Sequence, residues 1–434
     1  LDDQPPIIAT GHQPWLWHPG ILAKDLAMAA GARRFNAGTL HVVVDQDDCE
    51  ALRVELPVQR NDLLSIEKLD LANYDRAIPV GCQPPVDADE VLRNLQAVRQ
   101  RLGGTLAADV RRIAEAFSDP PACRTLAEQL TVVLMRLRRP HLPPLPVLFA
   151  TDLPRLAGYQ SKVDAMLLDP TRCVECYNRA VRAHPDAAVA PLRVQPHRVE
   201  LPLWKLGWRQ PRRRVYADLS NRGATLAVEG MPTGGAGDPG FDRATLAPRA
   251  LLLSAYIRST GCDLFIHGRR GKLYDRATEQ WWQEWRGQTL APKAIVSADL
   301  TMKFAVPLAD QHAVDRAVWW AHHLPHNLDR ALGLDTEAAR RKHQLLSTLT
   351  VERDRRRKAW AFEQVHRINR ELAAAHHRAL AEADARIALA RTGAANQAIA
   401  QKRDWCFALY SQEEIRSLAD SIENRLTGNP CQQP

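Results

Sequence analysis

Residues Thr10-Gly11-His12-Gln13-Pro14-Trp15-Leu16-Trp17-His18-Pro19-Gly20, running into Ile21-Leu22-Ala23-Lys24, set the reading of this chain. The apolar run Pro6-Ile7-Ile8-Ala9 leads in, and an apolar-periodic segment ending near Gly31 follows. That order predicts strand, glycine-marked loop and helix. Such a junction offers backbone N–H groups and the positive end of a helix dipole to a ligand. It belongs at the ligand-binding edge of an open α/β sheet. Two imidazoles (His12 and His18), the Gln13 amide and the Lys24 amine lie in this loop or one turn beyond it.

The same unit recurs downstream. Thr39 to Asp45 reads as a buried second strand ending in the acidic Asp45-Gln46-Asp47-Asp48. Cys262 to Ile266 reads as a strand whose edge is His267-Gly268-Arg269-Arg270-Gly271-Lys272. A helix with Tyr274, Trp281, Trp282 and Trp285 follows it. Pro292 to Val296 reads as one more strand. The expectation is an α/β chain with an open parallel sheet built from separated pieces: 1–58, 145–171 and 248–305. A helical insertion at 59–144 and an irregular one at 172–247 interrupt it. A helical region at 306–425 follows, with a heptad-like seam through Phe362, Val365, Ile368, Leu372, Leu380, Ala383 and Ile387, broken at His376, and a helix-hairpin turn at Gly393. Residues 426–434 read as a flexible tail.

Composition narrows the classes. A length of 434 residues supports two or three compact units. No apolar run approaches the roughly 18–20 residues that cross a bilayer, and no secretory leader is recognisable. The net charge is +8, but 10 of the 58 basic residues are lysine, so arginine supplies the excess. That skew reads as overall composition rather than a nucleic-acid-binding face. Arg212-Arg213-Arg214 reads as a solvated face. The eight scattered cysteines suggest no disulfide framework and fit a reducing cytoplasm. Cys173-Val174-Glu175-Cys176 is a lone CxxC, read as ordinary packing. Gly234 to Gly240 reads as a flexible turn, because it lacks a phosphate-binding lysine.

Three clusters carry candidate chemistry. His12 suits acid–base work or hydrogen bonding to an anion; helix capping or packing beneath Trp15 and Trp17 is the structural alternative. Asp45, Asp47 and Asp48 suit an amine or Mg²⁺, or simply a polar turn. The loop His267 to Lys272 suits phosphate or carboxylate.

Together these pieces resemble the bacillithiol-biosynthesis cysteine-adding enzyme family. The first loop, with Gly20 and Lys24, is similar to that family's TGQQ-type loop, helix start and helix lysine. Val42 to Cys49 resembles its acidic second strand end, Asp263 to Tyr274 its glycine-rich loop and helix tyrosine, and Pro292 to Leu300 its later strand. The sequence departs from the family pattern at His12, Asp48, Gly271 and Lys293-Ala294, and the chain is shorter than is usual there.

The resemblance implies a Rossmann-like core and a C-terminal coiled-coil arm that pairs two subunits. It implies an ATP-dependent amide ligase that joins cysteine to the amine of glucosaminyl malate. The residues then implied as catalytic are His12, Asp47 and Asp48. Those implied to bind substrate or nucleotide are Gly11, Gln13, His18, Gly20, Lys24, Asp45, His267, Gly268, Arg269, Arg270, Lys272 and Tyr274. ATP or ADP is the expected cofactor, with Mg²⁺ beside it. Two other readings stand beside this one: a non-catalytic small-molecule-binding relative, and a coiled-coil assembly protein with a relic core.

Overall fold

From Ile7 the chain runs strand, helix, strand: β1 (Ile7–His12), α1 (Pro19–Phe35) and β2 (Gly38–Val43). A computed structural model describes residues 5–100, 102, 104–220, 223–231 and 242–428. Helix α1 starts on Pro19, whose fixed φ suits the first helical position, and ends at Asn36 in the left-handed conformation. Its residues Pro19 to Gly31 are all buried, which makes it a central helix rather than a surface one.

Next come β3 (Arg53–Arg60) and β4 (Leu63–Asp70), paired as a two-stranded sheet. The helices α2 (Ala88–Arg99), α3 (Gly104–Phe117) and α4 (Leu126–Arg138) follow, then β5 (Val147–Phe149). Helices α5 (Ala157–Leu168) and α6 (Pro170–Ala183) precede β6 (Val194–Gln195), β7 (Arg198–Gly207), β8 (Gln210–Asp218), β9 (Thr225–Val228) and β10 (Leu246–Pro248). The alternation then resumes with α7 (Leu251–Thr260), β11 (Leu264–His267), α8 (Gly271–Arg286) and β12 (Lys293–Ile295). Five helices follow: α9 (Gln311–His323), α10 (Leu328–Ala331), α11 (Glu337–Val351), α12 (Arg355–Ala375) and α13 (His377–Ala400). The last is α14 (Gln412–Thr427).

The chain divides into two compact units. One comprises residues 1–56, 68–300 and 403–434; the other comprises 57–67 and 301–402. The first is an α/β unit around a five-stranded sheet in the order β12-β11-β1-β2-β5, with every neighbouring pair parallel. Thr10, fully buried, ties β1 to β11 by donating to the Ile266 carbonyl at 2.8 Å. Gly11 lies opposite Val42, so close that a Cβ at this position would sit 2.7 Å from the Val42 carbonyl oxygen.

Residues 172–247 are more regular than their sequence suggests. Helix α6 leads into an antiparallel sheet of order β10-β7-β8-β9, with β6 on β7. Pro202 and Pro211 and the arginine triplet hide the alternation that these strands follow. One apolar core joins this sheet to α8, where the Trp281 and Trp285 rings stack 5.4 Å apart and Tyr177 of α6 meets Trp281 edge-on. Cys173 and Cys176 are buried in α6, and burial raises both thiols above their ordinary range. Trp405 is likewise buried, and the Phe407 N–H donates to the Trp17 carbonyl at 2.7 Å, so residues after 402 dock on the α/β unit. Gly234 to Gly240 and residues 429–434 lie outside the described residues, and helix α14 continues to Thr427 where a frayed tail was expected.

In the second unit, Ile368 and Leu372 of α12 pack with Leu324, Leu328 and Ala383. Phe362, expected in the seam, is 57% exposed. The helices break at His376, where the seam is interrupted, and no turn falls at Gly393. Gly393 lies inside α13, where a Cβ would come within 2.8 Å of the Ala309 Cβ; it is a close-packing position and not a turn. Among the described residues, no helix is long and apolar enough to cross a membrane.

The Gly11 contact is testable. Gly11→Ala drives a methyl against backbone, and overpacking of this kind costs about 1–3 kcal/mol. Chemical denaturation should show that loss, whereas an unchanged midpoint would contradict the close approach of β1 to β2.

Candidate functional site

Because all five strands are parallel, the loops after β1, β2, β5, β11 and β12 leave the sheet on one edge. Register brings them level: Thr10 pairs with Ile266, and His12 pairs with Val43. The strand order also turns around at β1, with β2 and β5 on one side and β11 and β12 on the other. Ligands of open α/β sheets bind outside the carboxyl ends of the strands at such a switch point.

The first loop is held from within. The Trp17 indole N–H donates to the Gln13 carbonyl at 2.9 Å. The start of α1 is closed to a ligand, contrary to the sequence reading. Pro19 has no N–H, the Gly20 N–H donates to His18 Nδ1 at 3.0 Å, and the Ile21 and Leu22 N–H groups donate to the His18 carbonyl. His18 is therefore the helix cap, and Gly20 spends its donor on it. Burial, partly offset by Asp404, lowers the His18 pKa.

Lys24 does not reach over the helix start either. It is 4% exposed, and its Nζ donates to the Gly11 carbonyl at 2.6 Å. Burial pulls its pKa down to about 8, against the pull of Asp25. Asp25 accepts from His41 Nδ1 at 2.9 Å and pairs with the buried Arg138. Burial alone would raise the Asp25 carboxyl, but His41 and Arg138 outweigh it and hold it below its ordinary value. This network clamps the loop from below.

Above the clamp, three segments meet. Gln13 Nε2 donates to Asp47 Oδ2 at 3.3 Å, which joins the β1 and β2 loops. Arg212 of β8 donates to Asp47 Oδ1 at 2.7 Å and also pairs with Asp48. Its guanidinium lies 4.6 Å from the Trp204 ring centre, and that of Arg249 lies 4.4 Å from the same ring. Arg249 pairs in turn with the buried Glu200, which also holds Arg214 at 3.1 Å. Arg212 and Arg214 are therefore not part of a solvated face, while Arg213 between them is exposed. Trp204 pairs with Arg214, and the period of two puts Arg212 and Arg214 on one face of β8. Tyr274 of α8 adds a phenol that burial, then Tyr177 and Asp47, push well above its ordinary range, so it stays protonated.

His12 ends β1, with its ring edge-on to Trp15 at 5.0 Å. Burial, then the Lys24 charge, lower its pKa well below 6.5, so the imidazole is neutral at pH 7. It is a hydrogen-bonding wall rather than a base poised near neutrality.

The remaining expected residues divide. Asp45 is buried and turns away from Asp47: its Oδ1 accepts from the Thr151 N–H at 2.9 Å and its Oδ2 from the Thr151 hydroxyl at 2.6 Å. Burial raises its pKa to about 7. With Asp47 and Asp48 on Arg212, the three aspartates do not form one Mg²⁺ site. Among the described residues, no group of three or more His, Cys, Asp or Glu side chains is placed to hold a metal.

His267 Nε2 lies 2.8 Å from Asp275 Oδ2, and Ser254 donates to Asp275 Oδ1 at 3.0 Å. Gly268 lies over the Lys24 stem. Arg269 pairs with Asp299 in the loop after β12, as does Arg403. Arg270 and Lys272 are exposed at the start of α8. The sequence reading missed Arg212, Arg249, Trp204, Glu200, Thr151 and Asp275. Of these, Arg212 was legible from the strand period once Trp204 was placed on the neighbouring strand.

Comparison with protein-family models gives no match, and no curated protein matches the chain.

Asp45 gives a pH test. Between 3.8 and about 7 the folded chain keeps a proton that the unfolded chain has lost. Stability supplied by the neutral carboxyl is therefore complete below the lower value and is lost as pH rises to the upper one. Asp45→Asn should gain on the parent over that window by about 1 kcal/mol per pH unit. Urea titrations at pH 4, 5.5 and 7 measure it; a pH-independent difference would contradict the assignment.

Proposed function

We propose that this chain has a Rossmann-like core and is an amide-forming ligase of the kind its sequence resembles. It would join an amino acid carboxylate to the amine of an amino sugar. The observation that carries this reading is the meeting of Gln13, Asp47 and Arg212 beside a strand order that reverses at β1. That order is the doubly wound one, whose switch point receives small polar ligands.

Asp47 would orient the amine of the acceptor. Arg212 and Arg249, already paired with Asp47, Asp48 and Glu200, would meet its carboxylates only through their remaining N–H donors. The protonated Tyr274 phenol is a donor to a developing oxyanion. An adenine nucleotide, when bound, supplies the leaving group that makes the carboxylate reactive. The start of α1 is capped by His18, and the Gly271 and Leu273 N–H groups of α8 are likewise engaged, so the exposed Arg270 and Lys272 side chains are the rim feature that fits its phosphates. The helical second unit would pair two subunits as a coiled-coil arm, and light scattering should then return the mass of a dimer.

A second reading is favoured by the same clamp and cap: with Lys24 and the α1 donors engaged, the rim would serve as a binding site without catalysis. The experiment that separates them is mass spectrometry of the protein incubated with ATP, cysteine and glucosaminyl malate. The ligase reading expects an ATP-dependent amide, reduced about a hundredfold or more by Asp47→Asn. No amide despite retained amine binding would leave the binding reading, and no binding of any of the three would overturn both.

A further inference from the structure

A cavity of about 270 Å³ opens at the other end of the rim, beside the ends of β2 and β5. Asp45, Thr151 and Gly81 form part of its wall, and Gly81 packs so tightly against the Asp45 carboxylate and the Thr151 methyl that a Cβ at position 81 would collide with both. Phe149, the last residue of β5, and Leu206 supply apolar surface.

Trp208 adds an aromatic face. It sits in the turn between β7 and β8 and is 53% exposed, yet the turn is tethered, because the Arg209 N–H donates to the Cys82 carbonyl at 2.7 Å. Two guanidinium groups complete the lining. Arg124 pairs with Glu128 at 2.8 Å and Arg155 with Asp152, each on its own segment; both side chains are largely exposed and keep further N–H donors.

We propose that this cavity binds a planar heteroaromatic anion, with its ring on Trp208 and Phe149, its anionic tail at Arg124 and Arg155, and a polar edge toward Asp45 and Thr151. The volume suits one ring system with a short tail, being near the lower limit of small-molecule pockets, roughly 300 Å³. Aromatic stacking and guanidinium contacts are the interactions such a ligand requires. Neither Gln13, Asp47 nor Arg212 lines the cavity, so the proposal does not depend on the ligase reading.

A nucleoside monophosphate and a free aromatic carboxylate share this chemistry. Calorimetry on the full chain with AMP, indole-3-acetate, adenosine and inorganic phosphate distinguishes them. The expected result is that AMP or indole-3-acetate binds with Kd below about 1 mM, and that adenosine and phosphate alone bind at least about tenfold more weakly. The stronger of the two anions names the source. Trp208→Ala and Arg155→Ala, both at exposed side chains, should each weaken binding by about tenfold with unchanged melting temperature. The proposal is overturned if neither anion binds or if binding survives both cavity variants.

Discussion

The Arg212 guanidinium holds the rim together. It reaches from the antiparallel sheet to Asp47 and Asp48 in the loop after β2, while its plane lies against Trp204. Asp47 passes the connection on to Gln13 in the loop after β1. Without this bridge, Asp47 and Asp48 would lose their shared cation, and the inserted sheet would keep only such ties to the strand edge as the Gln46 amide donating to the Pro248 carbonyl. The stacking adds a further increment, on the order of 0.5–1 kcal/mol for a cation over an indole.

A second set of charges works beneath the surface. Lys24, Asp25, His41 and Arg138 are all buried, and each has a partner. Removing one member of such a set leaves an uncompensated buried charge, at a cost of about 3–5 kcal/mol. Their geometric effect is to fix the Gly11 carbonyl and hence the exit of β1. The lysine that looks like an anion-binding group in the sequence is therefore a support for the loop that carries Gln13. Arg269 is engaged as well, by Asp299 at the β12 end of the same edge. The charge remaining at the rim is concentrated around Asp47, Arg212 and Arg249, and at the start of α8.

Much of the parallel sheet was legible in the sequence, because its strands are short apolar runs that end in polar clusters and alternate with helices. The level placement of His12, Asp47 and His267 along one edge follows from that pattern. Between 172 and 247 short β-like pieces were legible, but their pairing into one antiparallel sheet was not, since Pro202, Pro211 and three consecutive arginines obscure its period. Arg212 was lost with it. The directions of Lys24, His18 and Asp45 were also hidden. Each sits at a position that suits a ligand, but a backbone carbonyl, a helix N–H or a threonine in the same chain claims it first. Gly393 looked like a turn and is a contact, a distinction set by the neighbouring Ala309 and not by the local sequence.

The bridge itself is best tested by a double-mutant cycle on Asp47→Ala and Arg212→Ala, read as unfolding free energies in urea. If Arg212 closes the rim, the two losses should fail to add by at least about 0.5 kcal/mol, as they do for residues in direct contact. Additive losses would show that the inserted sheet and the β2 loop do not share this contact, and the crevice they frame would not exist.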